Sequence, residues 1–150
     1  MNGPERWLAR LDVVGTVAFL LVTVVSAISD ADPVVLANLA VCTVLFVVGS
    51  AIWAWGFVLA ASRSRTHVID LAGLFYLTGS APTSTRRLFL GLWFAQIAIA
   101  VGSIATTSPP FGVMVPVFGI CVLIRWAAVN ATFPERTTGT DPLSRRSAPQ

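Results

Sequence analysis

The sequence predicts an all-α integral membrane protein, a four-helix bundle with both termini in the cytoplasm and a short amphipathic helix in the cytoplasmic interface. Three observations carry this. Of 150 residues, 55% are hydrophobic and only 11% charged, with a mean hydropathy of +0.79; a soluble domain carries about 25% charged residues, so this surface would not hold the chain in water. The apolar residues gather into four runs, each close to or above the length of about 20 residues that crosses a bilayer as a helix. All ten basic residues are arginines, and in a four-span arrangement every one falls on the same side.

The first span is expected over residues 13–28, VVGTVAFLLVTVVSAI, after a flank that carries Arg6, Trp7 and Arg10. A basic flank before an apolar run also describes a secretory signal. The run is longer than a signal core, so an uncleaved anchor is expected. The link 29–33, SDADP, holds two acids and no base. The second span, 34–61, is long and must tilt or project from the bilayer. A basic loop, 62–87, follows. The third span is expected over 88–105, with Thr83, Ser84 and Thr85 as candidate N-caps, and TTSPPF links it to the fourth at 112–130. Pro116 should kink that last span or leave a carbonyl for a neighbour to satisfy. Residues 1–130 thus form one membrane domain, and the polar, proline-bearing tail 131–150 is expected to be disordered and cytoplasmic.

Orientation follows from the loops. Arg6, Arg10, Arg63, Arg65, Arg86, Arg87, Arg125, Arg136, Arg145 and Arg146 all map to one side, which the positive-inside rule makes the cytoplasm. The tryptophans Trp7, Trp53, Trp55, Trp93 and Trp126 map to the same half, where an indole ring meets the headgroups. Arg63, Arg65, Arg86 and Arg87 are expected to join them at the lipid interface. The expected location is a bacterial cytoplasmic membrane, crossed several times.

The loop ASRSRTHVIDLAGLFYLTGSAPTSTRR carries the single histidine and the single tyrosine. Val68, Leu71, Ala72 and Phe75 recur at helical spacing and form the apolar face of the interfacial helix. His67 and Asp70, at i and i+3, could act as a general acid–base pair. Neither a nucleophile nor a metal ligand stands beside them in the sequence, so a lipid-facing helix is the expected role.

Among the polar residues in the spans, Asn38, Gln96 and Arg125 are singled out. Gln96 and Asn38 are placed to hydrogen-bond between helices. Arg125 lies about a turn and a half from the cytoplasmic end of its span, close enough to snorkel to the headgroups. Gly91, Ala95, Ala98 and Gly102 offer the third span a small-residue face for close helix approach. Cys42 and Cys121 lie at similar depth and read as small buried residues. The sequon Asn130-Ala131-Thr132 falls on the cytoplasmic side, away from glycosylation. Asp12, the acid nearest an apolar run, sits at the mouth of the first span, so the membrane interior is expected to hold no acid, which argues against a proton-coupled pump. No phosphate loop, metal motif or catalytic triad is present, and no basic patch interleaves with aromatics as nucleic-acid binding requires.

Three features of the second half stand together: Phe75 and Leu77-Thr78-Gly79 followed by Ala81-Pro82 and Arg86-Arg87, Gly112 to Pro116 entering the last span, and Thr132-Phe133-Pro134 leaving it. In these the chain resembles a family of small four-span membrane proteins from Actinobacteria. Ile124-Arg125-Trp126 departs from the small, Trp-Gly-rich end usual there. The resemblance implies topology and a bacterial membrane, without a reaction. The expected function is therefore a non-catalytic accessory or scaffold component of a membrane complex, not an enzyme, with no cofactor. Its partners would be the lipid bilayer and a membrane protein or further copies of itself. A small homo-oligomeric transporter or channel is the alternative, and a membrane-interface enzyme using His67 or Asp70 the third.

Overall fold

A computed structural model describes residues 3–64, 75–77 and 81–132. Among them the chain is helical: α1 Gly3–Ile28, α2 Asp32–Arg63, α3 Thr83–Thr106, a 3-10 turn Phe111–Met114, and α4 Pro116–Asn130. Four helical segments are long and apolar enough to span a membrane, the last of them joining the 3-10 turn to α4. The chain is a multi-pass membrane protein by that measure. Its outer surface agrees, since Val14, Leu21, Ile28, Leu36 and Val58 are exposed where a soluble bundle would carry charge.

α1 begins at Gly3, well before the apolar run at Val13. Pro4 suits a first turn, where its missing N–H leaves no bond unmade. Charged residues at 5, 6, 10 and 12 end the hydropathy run without ending the helix. α2 starts at Asp32-Pro33, an acid and a proline in the first turn, both favoured there. Its 32 residues make about 48 Å of helix against a hydrocarbon core of about 30 Å. α3 starts at Thr83 with Pro82 as its cap and no side-chain bond to the cap position, so Thr83, Ser84 and Thr85 do not cap it. Proline presets the extended backbone that leads into the helix. Pro116 opens α4 at a position that needs no N–H, directly after the 3-10 turn, so the last span does not run as one α-helix through it.

Each outer helix buries one narrow stripe. α1 buries Leu8, Asp12, Thr16, Phe19, Thr23 and Ser26, steps of three, four and seven residues. α3 buries Thr85, Phe89, Gln96, Ala100 and Ser103, and α2 buries Asn38, Cys42, Gly49, Gly56 and Ala60. α4 is enclosed on most sides, from Phe118 to Ala128. Two apolar layers result. One, near the chain termini, joins Leu8, Leu77, Phe89, Phe118, Val122 and Trp126. The other, toward the short turns, joins Phe19, Cys42, Ala100 and Val115.

α2 and α4 run parallel and meet backbone to backbone. A Cβ at Gly49 would lie 2.7 Å from Phe118 Cα, and one at Gly56 3.2 Å from Arg125 Cα. Both pairs advance by seven residues, the repeat of a coiled-coil seam. The small-residue face expected of α3 is not used this way. A Cβ at Gly91 or Gly102 would meet nothing within 4 Å, because the stripe through Gln96 faces inward and turns these glycines outward.

Candidate functional site

Between the two apolar layers lies a polar one. On α1, Asp12 and Thr16 follow Leu8 and precede Phe19. On α3, Gln96 stands between Phe89 and Ala100. On α4, Gly119 belongs to the first turn, where backbone N–H groups are short of acceptors. Asp12 and Gln96 are 0% exposed and Thr16 only 7%.

Gln96 joins the three helices. Its Nε2 donates to Asp12 Oδ1 at 2.9 Å and to Thr16 Oγ1 at 2.8 Å. Its Oε1 accepts the N–H of Gly119 at 3.1 Å. Thr16 in turn donates to the backbone carbonyl of Asp12 at 2.7 Å. Gly119 is needed for this approach, since a Cβ there would lie 2.5 Å from Gln96 Oε1. Asp12 Oδ2 is buried with no hydrogen-bond partner among the described residues.

An acid therefore lies inside the bundle, contrary to the expectation that Asp12 sits at the mouth of the span. The helix continues past the end of the apolar run and carries the carboxyl inward on the buried stripe. The argument against proton handling that rested on an acid-free interior falls with it. Asp12, Thr16 and Gly119 are the members of the cluster that sequence reading missed. A signal was available for the first two: Asp12, Thr16, Thr23 and Ser26 share a 3.5-residue repeat in an otherwise apolar segment. Gly119 had none, because its role is set by a neighbour from another helix.

The other expected positions divide. Asn38 is buried, and its Oδ1 accepts the Cys42 S–H at 3.2 Å within α2. Asn38 also lines a small cavity with Ser26, Asp30 and Thr107 near the short turns, where Ser26 Oγ has no partner among the described residues. Cys42 and Cys121 are buried free thiols on different faces, Cys42 in the apolar layer with Phe19 and Cys121 on a groove between α2 and α4. Arg125 lies half-buried against Gly56.

Arg63 reaches across to the end of α4. Its guanidinium donates to the carbonyls of Ala128 at 2.8 Å, Val129 at 3.0 Å and Ala131 at 3.2 Å. A cation at a helix C-terminus satisfies orphan carbonyls and meets the negative end of the dipole. Trp126 leaves the expected interfacial belt. It is 2% exposed and packs on Phe89 with ring centroids 5.9 Å apart, because α4 is the enclosed helix. Trp7, Trp53 and Trp55 are exposed, Trp93 is half-buried, and Arg86 and Arg87 lie on the surface of α3. His67, Asp70 and Arg65, and most of the expected interfacial helix, lie outside the described residues, as does the tail beyond Thr132.

No family model matches this chain, and neither a curated protein nor a solved structure matches it. The chemistry must be read from the cluster itself. The Gln96 amide is bound to Asp12 Oδ1 and Thr16 Oγ1, and Asp12 Oδ2 is enclosed beside them. Among the described residues, no three His, Cys, Asp or Glu side chains gather as metal ligands would. What the arrangement does is hold α1, α3 and α4 at one height.

Proposed function

We propose that this chain is a non-catalytic accessory or scaffold component of a membrane complex. The supporting observation is the enclosure of its cross-helix polar cluster. Asp12 and Gln96 are wholly buried, and every bond from Gln96 runs to a neighbouring helix. Polar side chains used this way set helix register within lipid, where apolar burial does not distinguish neighbour from solvent. The grooves between α1 and α2 and between α2 and α4 are lined by neither residue.

The one-sided arginines support a bacterial cytoplasmic membrane with both termini inside, and the resemblance to small actinobacterial four-span proteins points the same way. A different membrane protein completes the assembly. Affinity purification in a gentle detergent, followed by native mass determination, tests this. A stoichiometric complex with a different membrane protein is the expected result. A homo-oligomer with no partner overturns it.

That outcome would favour a second reading, a small homo-oligomeric transporter or channel. Asp12 Oδ2 is the observation behind it, since a buried carboxyl oxygen with spare bonding capacity inside a membrane bundle suits a transported proton or cation. In proteoliposomes, Asp12→Asn would then abolish flux that the unmodified protein supports. Flux unchanged by Asp12→Asn would sink the transport reading. An interfacial enzyme built on His67 or Asp70 has no such observation behind it.

A further inference from the structure

Arg125 lies inside a candidate membrane span, and among the described residues its guanidinium meets no hydrogen-bond or ion-pair partner. Its stem rests on the backbone of Gly56, where an added Cβ would lie 3.4 Å from Arg125 Cδ. Beside that contact runs a groove of about 500 Å³ between α2 and α4, lined chiefly by Phe46, Trp53, Phe75, Ile120, Cys121 and Ile124. The groove runs from Phe46 and Val117, near the middle of the bundle, to Trp53, Ala54 and Ile124, toward the C-terminal ends of both helices. Arg125 is the next residue along α4.

A cation therefore follows directly on Ile124, the last lining residue of α4, where the apolar trough ends toward the C-termini of both helices. An unneutralised guanidinium among hydrocarbon is costly, and its fork of donors matches phosphate oxygens. The trough suits an acyl chain. A helix about 10 Å across, running the same length, would need roughly twice the volume. We propose that this site binds one anionic glycerophospholipid, with its phosphate on Arg125 and an acyl chain between α2 and α4. The lipid belongs to the leaflet that holds the C-terminal ends of these helices.

The test uses the full chain, purified and stripped of lipid, then titrated with phosphatidylglycerol or phosphatidylcholine while retained lipid is counted by native mass spectrometry. Phosphatidylglycerol should be retained one per chain and should raise the thermal midpoint, with phosphatidylcholine retained far less. Arg125→Gln should weaken phosphatidylglycerol retention roughly tenfold or more, as loss of a charge-assisted hydrogen bond implies. Arg125→Lys should restore part of it. Ala54 is exposed, so Ala54→Phe fills the groove without touching the core and should reduce retention with the arginine intact. Equal retention of the two lipids, or retention indifferent to both Arg125→Gln and Ala54→Phe, would overturn the site.

Discussion

Replacing Gln96 by Leu removes three hydrogen bonds at once and leaves Asp12 Oδ1, Thr16 Oγ1 and the Gly119 N–H competing for partners that are not there. The loss should be about 1–3 kcal/mol, since a buried group left unsatisfied costs more than the average membrane hydrogen bond contributes. Reversible unfolding in mixed micelles measures it, and a change below a few tenths of a kcal/mol would show that the cluster holds nothing. Gly119→Ala attacks the same bond from the other side by pushing a methyl into Gln96 Oε1, and it should lower the thermal midpoint without removing any polar group. Leu77 shows a different economy. Its φ is +54°, a region a bulky residue seldom adopts, yet its side chain is fully buried against Leu8 and Trp126. Packing offsets the strain, so Leu77→Ala should destabilise by about 2–4 kcal/mol. Leu77→Gly should cost no more, because glycine relieves the backbone while losing the same contacts.

At the scale of elements, the parallel seam of α2 and α4 separates glycines by what they face. Gly49→Ala drives a Cβ into the Phe118 backbone, which has no rotamer by which to give way. Gly56→Ala meets Arg125 at a distance the pair can absorb with a small shift. Midpoints should therefore fall in the order Gly49→Ala, then Gly56→Ala, with Gly91→Ala and Gly102→Ala unchanged or slightly raised by helix propensity. A large loss at Gly91 in the isolated chain would contradict the packing described. The C-terminus of α4 depends on α2 through Arg63. Removing it in Arg63→Ala strands carbonyls at Ala128, Val129 and Ala131, and amide exchange across the last turn of α4 should quicken. Arg63→Lys should restore only part of the protection, because one ammonium does not reproduce a planar fork. The end of α4 thus rests on a contact 65 or more residues away in sequence, which no local signal announces.

For the whole molecule, orientation is the prediction that composition carries. Asp30→Cys, in the acidic turn, should react with an impermeant maleimide in intact cells, and Ser84→Cys, at the start of α3, only after lysis. The reverse pattern would invert the topology. Four membrane-spanning segments were legible in the sequence because hydropathy sums over some 20 residues, and no single contact alters the sum. Their ends were less so. The window closed at Val13 where apolar residues stop, while hydrogen bonding carries α1 back to Gly3. That difference moved Asp12 from the mouth of a span into the interior. Gln96 was visible as a polar residue with work to do between helices, but its partners were not. Trp126 looked interfacial because residue type reports preference, and preference yields to whichever helix is enclosed. By itself the sequence determined that the chain is helical and membrane-spanning, since each of these is a sum over many residues. Only the tertiary structure decided which stripe of each helix faces inward, and so which acid is buried and which glycines are needed. Those outcomes depend on contacts between residues far apart in the chain, where turning a helix halfway about its axis exchanges the core face for the lipid face.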